Sequence, residues 1–492
     1  MNQKELNCSM NDSNGQSAGQ NRNKIHLKSP GNWVNDPNGF IYYNGMYHLF
    51  YQYFPYAPMW GTMHWGHAVS PDLVHWEHQG IALFPSKYED QNGCFSGSAI
   101  EYEGRMYLFY TGVHYHQANP DNIHVCLDDQ YESAQLCIVS EDGMKFDNFH
   151  RKQVIIPVIE HPAQGDRTHT RDPKVWRGKD AWYMVLGSTM VQESIDGIQK
   201  ERNAGRLLIY KSSQLTEWKF ANSIEKPGEY GWMWECPDYF EVSGSGVFIF
   251  SPMGFLKDGF ESENQSICML AHFQEESCTM DFGEEYQYLD YGLELYAPQS
   301  TLDAQGRRVL IAWLRMEDTA DEQGNAWIGM FSIPRVVEVK DGHIYFMPHP
   351  NIRSQFTKRV YHISEALENA ARVLVELQTD EQINIGGYLI FYDGTCVHTD
   401  RSAVVPYKKR IRTQFQTPPL KGGCRLEIYI DPNIIEIFIN DGEYVISNSV
   451  VGLTGEIQLS YIHEWDVQES KQSFECEGKV QIYKEELWTN MT

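Results

Sequence analysis

One short pattern recurs five times along this chain, and a repeated hairpin restricts the available folds more tightly than overall composition does. The copies are GFIYYNGMYHLFYQ (39–52), AIEYEGRMYLFYTG (99–112), PKVWRGKDAWYMVLGS (173–188), PDYFEVSGSGVFIFSPMG (237–254) and STLDAQGRRVLIAWL (300–314). In each, strand-forming residues lead into a tight turn rich in Gly, Asn or Asp, and a run dense in Tyr, Phe, Val and Ile follows, as in a β-hairpin. A second pattern lies between the copies. SPDLVHW (70–76), SEDGMKF (140–146) and SSQLTEW (212–218) each place an aromatic six positions after a serine, at the tip of what reads as another hairpin. Two hairpins per unit make a four-stranded sheet. Sequential sheets of this kind, with too little helical periodicity for crossover connections, predict an all-β fold headed by a five-bladed β-propeller over residues 25–348.

The copies are spaced more widely than compact propeller repeats, so long loops are expected at 115–131, 160–170 and 192–205, where they would shape a pocket. Beyond 348 the text changes to short alternating strands such as CRLEIYID and IIEIFI, and the NDG before EYVISNSV is a strong hairpin turn. Residues 349–492 therefore read as a short linker and a β-sandwich. The stretch 363–377 fits either a helix or two strands. Residues 1–24 form a polar stretch without the apolar run of a secretory signal, read as a mobile tail.

Composition narrows the partners. Of 492 residues, 40 are Lys or Arg and 66 are Asp or Glu, a formal charge of -26 that repels phosphate backbones and anionic lipid. No nucleic acid or membrane partner is expected, and no apolar run is long enough to span a bilayer. The ten cysteines are scattered, without zinc-site spacing or a dense disulfide framework, which favours a reducing, cytoplasmic setting.

The chemistry stands just before the hairpins: NDPNG with Asp36, FSGS with Ser96, RDPK with Asp172, ECPD with Glu235 and YAPQ with Tyr296. Alone, NDPNG is a set of turn formers, RDP a surface ion pair and Glu235 a half-buried acid. Units arranged around an axis would bring the three acids to one place. Glycoside hydrolysis needs one carboxylate that stays ionised and one acid that holds a proton for the leaving oxygen. Glu235, flanked by Trp232, Trp234, Cys236 and Pro237, suits the proton donor, because apolar surroundings disfavour its charged form. Asp36 suits the nucleophile, held ionised by Asn35, Asn38 and turn amides, and Asp172 should remain charged beside Arg171. Trp33, Trp60, Trp65, Phe95, Gln52, Ser96 and Trp313 lie near these motifs, with the aromatic faces and polar groups that sugars require.

WVNDPNG (33–39), FYQYFP (50–55), HWGHAVSPDLVHW (64–76), GCFSGSA (93–99), YTG (110–112), RDPKVW (171–176), WECPD (234–238), YAPQ (296–299) and IPR (333–335) together resemble glycoside hydrolase family 32, the invertases, inulinases and sucrose-6-phosphate hydrolases. The resemblance runs from about His26 to the C-terminus. It implies a five-bladed propeller with a C-terminal β-sandwich and a retaining double displacement on β-fructofuranosides. By resemblance, Asp36 is the nucleophile, Glu235 the general acid/base and Asp172 the transition-state stabiliser. Asn35, Gln52, Trp60, Phe95, Ser96, Arg171 and Trp313 fall at fructose-binding positions, and Trp33 beside the first motif is a further candidate substrate contact. Val34 replaces the usual Met, and IAWL departs from the usual text around Trp313. No cofactor or metal is expected, since a leaving sugar departs by proton transfer. The expected substrate is sucrose or a short fructo-oligosaccharide, with sucrose 6-phosphate hydrolysis, fructosyl transfer or non-catalytic sugar binding as alternatives, and the sandwich is a candidate homodimer surface.

Overall fold

The computed structural model describes residues 24–193, 200–226, 229–261, 263–316, 319–320, 326–362, 370–405, 412–454, 456–461 and 479–484. The expected tail at 1–23 and residues 363–369 of the ambiguous stretch lie outside the described residues; 371–377 is strand. The chain separates into two compact units. Among the described residues, one holds those of 29–288 and 296–332, and the other holds 24–28, 289–295 and those from 333 onward. Nearly all regular structure is β, and among the described residues no helix is long and apolar enough to cross a membrane.

The first unit is a series of antiparallel sheets. The first contains β1 (Asn32–Tyr43), β2 (Met46–Phe54), β3 (His64–Ser70) and β4 (Glu77–Leu83). The second contains β5 (Cys94–Tyr102) and β6 (Arg105–Tyr115), a small separate hairpin of β7 (Ala118–Asn119) and β8 (Asn122–Cys126), then β9 (Tyr131–Ser140) and β10 (Gln153–Ile156). The third is β11 (Thr170–Arg177), β12 (Trp182–Glu193), β13 (Lys200–Gln214) and β14 (Glu217–Glu225), and the fourth is β15 (Met233–Val242), β16 (Ser245–Met253), β17 (Ile267–Gln274) and β18 (Thr279–Tyr288). A fifth pair, β19 (Leu295–Leu302) and β20 (Arg308–Leu314), is followed by β21 (Thr319–Ala320), β22 (Ala326–Ile328) and β23 (Met330–Phe331). β22 pairs in parallel with β1, and β23 joins β20.

The turns explain the hairpins. Asn44-Gly45, Glu103-Gly104 and Ser243-Gly244 all have positive φ at both residues, the twist a two-residue hairpin needs. The serine motifs cap the second hairpins: Ser70 Oγ accepts N–H bonds from Asp72 and Leu73, Ser140 Oγ from Gly143, and Ser212 Oγ from Gln214. Alternation along β6 builds two cores. Met106, Leu108 and Tyr110 pack with Phe50 and Trp65, whereas Tyr107 and Phe109 pack with Val175, Trp182 and Met184.

The leading strands are linked sheet to sheet. Gly97 N–H donates to Asn38 Oδ1 (3.1 Å), Ser98 Oγ to Pro173 O (2.7 Å), Lys174 Nζ to Asp238 Oδ2 (2.9 Å), Ser300 N–H to Asp238 Oδ2 (2.9 Å) and Gln299 Nε2 to Gly97 O (2.5 Å). β1 also packs against β20.

The second unit holds β24 (Arg335–Lys340), β25 (His343–Pro348), a one-turn helix (Pro350–Arg353) and β26 (Lys358–Val360). Two antiparallel sheets follow. In spatial order, one joins β26, β36 (Val480–Lys484), β27 (Ala371–Leu377), β32 (Cys424–Asp431), β33 (Ile434–Ile439) and β34 (Tyr444–Ser449). The other joins β31 (Gln414–Gln416), β30 (Val397–Asp400), β29 (Tyr388–Tyr392), β28 (Glu381–Ile385) and β35 (Ile457–Tyr461). Their inner residues, among them Val373, Ile383, Ile390, Ile428 and Ile437, share one buried core. NDG makes the β33–β34 turn, with Asn440, Asp441 and Gly442 all at positive φ.

Candidate active site

The site lies where the leading strands begin. Proline has no N–H for the ladder, so pairing is interrupted around Pro37, Pro173 and Pro237, and each interruption re-aims the residues just before it. In the second sheet Gly97 takes the proline's place, and a Cβ there would lie 1.9 Å from Phe109 O. Asp172, Cys236 and Ala297, each preceding a proline, adopt left-handed backbone with φ of 65°, 48° and 51°. This conformation costs an L-residue ~1–2 kcal/mol.

These distortions bring the two residues preceding each Pro or Gly together. Asn35-Asp36, Phe95-Ser96, Arg171-Asp172, Glu235 and Tyr296 line a cavity of about 410 Å³ in the first unit, together with Trp33, Gln52, Trp60 and Trp313. Each of the three acids and of the eight expected substrate-binding residues is in that lining, but Trp65 is not: it is fully buried in the core with Phe50 and Tyr110 and offers no face to a sugar. One expectation of register changes: Asp36 and Asp172 are equivalent, but Glu235 stands one residue earlier, and Cys236 occupies the equivalent position.

Ser96 Oγ donates to Asp36 Oδ2 (2.5 Å) and Asn35 Nδ2 to Asp36 Oδ1 (3.0 Å). The N–H of Cys236 donates to Asp172 Oδ2 (2.9 Å), and its sulfur lies 3.6 Å from both Asp36 Oδ2 and Asp172 Oδ2. Arg171 directs Nε and Nη2 at Glu235 Oε1 (3.1 and 2.9 Å), and Tyr296 donates its hydroxyl to Glu235 Oε2 (2.7 Å). Trp33 Nε1 donates to Asn35 Oδ1 (2.8 Å), Gln52 Nε2 to Cys94 O (3.0 Å), and Trp33 and Trp60 pack edge-on against Trp313 and Phe95.

The electrostatics differ from the sequence expectation. Burial pushes the Asp36 carboxyl above its ordinary range despite the Ser96 hydrogen bond, and the Glu235 charge adds to the push. Burial raises Asp172 to about 7 against the Arg171 charge, with Glu235 and Asp36 acting in the same direction as burial. The Arg171 charge pulls Asp172 down but is outweighed by burial, and its N–H groups fork onto Glu235 instead. Nor do the tryptophans wrap the Glu235 carboxyl: Trp234 is buried against Phe250 and donates Nε1–H to Tyr230 O, while Glu235 sits among polar donors. Burial raises the Cys236 thiol, with the Asp172 and Asp36 charges adding, so it stays protonated between the two aspartates.

Sequence reasoning did not assign Tyr296 a binding role, although it stands at the repeat position of Arg171 and Glu235, a signal sufficient to name it. Val113, Tyr115, Val125, Cys126, Asp129 and Tyr131 also line the cavity. All but Val113, which lies two residues before it, come from the expected 115–131 insertion, and no repeat register marks them.

The Glycosyl hydrolases family 32 N-terminal domain matches residues 26–350 and the Glycosyl hydrolases family 32 C terminal domain residues 389–467. The sucrose-6-phosphate hydrolase of Bacillus subtilis is 34% identical over 450 residues, covering 87% of this chain and 88% of that one. The raffinose invertase of Escherichia coli is 33% identical, with 89% and 90% covered. Among solved structures, a Bombyx mori family 32 β-fructofuranosidase superposes with a TM-score of 0.78 at 27% identity, covering 98% of this chain and 99% of that one; a mutant of it is solved in complex with sucrose. The chain belongs to glycosyl hydrolase family 32.

Proposed function

We propose that this protein is a retaining β-fructofuranosidase releasing terminal β-D-fructofuranosyl residues from sucrose or short fructo-oligosaccharides. The observation carrying the proposal is the convergence of Asp36, Asp172 and Glu235 on one cavity, two bridged by Cys236 and the third gripped by Arg171 and Tyr296. Asp36 attacks the anomeric carbon while Glu235 gives its proton to the departing oxygen, leaving fructose bound covalently to Asp36. Glu235 then takes a proton from the water that releases it. Asp172 accepts hydrogen bonds from fructose hydroxyls and offsets positive charge at the ring. Trp33, Asn35, Gln52, Trp60, Phe95, Ser96 and Trp313 hold the sugar.

We further infer that residues 25–348 close as a five-bladed propeller and that 349–492 form a β-sandwich. The chain of hydrogen bonds between leading strands and the core shared by the two later sheets support this arrangement. The described cysteines are free thiols, in keeping with a cytoplasmic location, and size-exclusion chromatography with light scattering tests the homodimer.

Hydrolysis of sucrose 6-phosphate is the second reading, favoured by the name of the Bacillus relative. Against it, Arg171 is the one cation in the cavity lining among the described residues, and it is bonded to Glu235. Rates on sucrose, sucrose 6-phosphate, kestose and inulin decide. Fructose release from sucrose is the expected result, and none from any of the four would sink the enzyme reading. Longer oligosaccharides accumulating at high sucrose would indicate transfer.

A further inference from the structure

At the cavity a row of side chains ends on Glu235. Behind the two Arg171 bonds to Glu235, Arg171 Nη1 lies 3.1 Å from His169 Nδ1. A guanidinium can only donate, so His169 Nδ1 is the acceptor and the ring proton is on Nε2. The Tyr131 hydroxyl lies 3.2 Å from the same Nδ1, and Nε2 faces Asp129 Oδ2 at 3.6 Å. Asp129 is presented by a turn whose two central residues, Asp128 and Asp129, are both left-handed, with φ of 49° and 54°. Gln130 N–H closes it on Leu127 O at 2.9 Å. Glycine or asparagine suits such a turn better than paired aspartates, and strain of this kind collects where a side chain must be aimed. The His169 ring is nearly buried, edge-on to Trp232, and its backbone N–H donates to Asp166 Oδ1.

We propose that His169, whose Nδ1 accepts from Arg171 and whose Nε2–H faces the Asp129 charge, is a positioning residue that steers the Arg171 guanidinium onto Glu235 and so sets the pH range over which Glu235 exchanges its proton. This rests on Glu235 being the acid/base of the reading above. Asp129, Tyr131, Asp166 and Arg171 are charged or titratable groups that face the ring or its backbone, with Glu235 beyond. A proton on Nδ1 would set donor against donor and cation against cation. Arg171 would then turn away, and Glu235 would lose two charge-assisted hydrogen bonds that favour its ionised form.

The test is the pH profile of kcat/KM on sucrose for His169→Leu, His169→Gln and Asp129→Ala, with a melting curve for each. His169→Leu should lower kcat/KM about tenfold and move the alkaline limb to higher pH, as expected for one lost charge-assisted bond. His169→Gln, whose amide oxygen can accept the Nη1–H, should stay within about threefold of wild type. Asp129→Ala should fall between them. Its side chain is half exposed, so it carries the test should His169→Leu fail to fold. A loss uniform across pH, an unmoved limb in Asp129→Ala and His169→Leu, or a His169→Gln as impaired as His169→Leu would overturn the proposal. A wild type releasing no fructose would instead overturn the enzyme reading. The tautomer then stays testable by a ¹⁵N-histidine spectrum assigned with His169→Gln, and a protonated Nδ1 would refute it.

Discussion

Tyr296 and Arg171 approach the Glu235 carboxyl from opposite oxygens, so each can be removed while the other stays. Tyr296→Phe deletes one hydroxyl and should lower kcat about tenfold with little change in KM, measured by initial rates on sucrose. Asp36→Ala and Glu235→Ala should each cut turnover by roughly 10³-fold or more with intact melting curves, and azide should partly rescue Glu235→Ala on an activated fructoside. Asp172 is read through stability. Its folded value of about 7 lies above that of an unfolded aspartate, so the folded state binds the proton more tightly. Its favourable contribution is complete at acid pH and is lost as pH rises toward and past 7. Asp172→Asn lacks this loss, so its melting temperature relative to wild type should climb between about pH 4 and about pH 8. The identities of these acids were legible because each stands one or two residues before a proline of the repeat. Their ionisation was not, because burial and the direction of the Arg171 fork depend on residues 64 apart.

At the scale of strands and turns, glycines mark where one sheet meets the next. Gly187 on β12 sits where a Cβ would come 1.7 Å from Trp234 O, on the residue preceding Glu235. Gly187→Ala should therefore destabilise by ~1–3 kcal/mol and also slow catalysis, seen as a lowered denaturant midpoint together with reduced kcat. Hairpins were readable from Asn-Gly and similar pairs, and the serine caps from their fixed spacing, since both are local rules. The offset of Glu235 by one residue was not, because an interruption in strand pairing is a property of two strands. The β7–β8 hairpin was foreseen only as an insertion. Its residues match no other sheet, so register reasoning has nothing to compare them with.

Across the whole molecule, the second unit carries a buried ionic network that no sequence period announces. Arg335 bonds Asp290 (2.8 Å) and Glu436 (2.7 Å), and His26 bridges Glu436 (2.8 Å) and Asp431 (2.7 Å), all five of these side chains fully buried from solvent. Burial works against charge on His26, but the Asp431 and Glu436 hydrogen bonds outweigh it and raise His26 to about 9. Burial likewise opposes charge on Glu436, which Arg335 and His26 bring down to about 2. The His26 contribution to stability is full below its unfolded value near 6.5 and lost as pH passes 9. The Glu436 contribution is full above about 4.5 and lost as pH falls through 2. His26→Ala should cost ~3–5 kcal/mol near neutrality by leaving buried carboxylates unpaired, and calorimetry should find its gap from wild type closing above pH 9. The N–H groups of Lys24, Ile25 and His26 all donate to Asp431, which follows His26 by 405 residues. At ~5–20 residues per second of translation, roughly 20–80 s separate the emergence of those amides from the ribosome and that of their acceptor. The nascent chain must therefore keep this segment waiting, open to chaperones and proteases, until the strand that carries Asp431 is made.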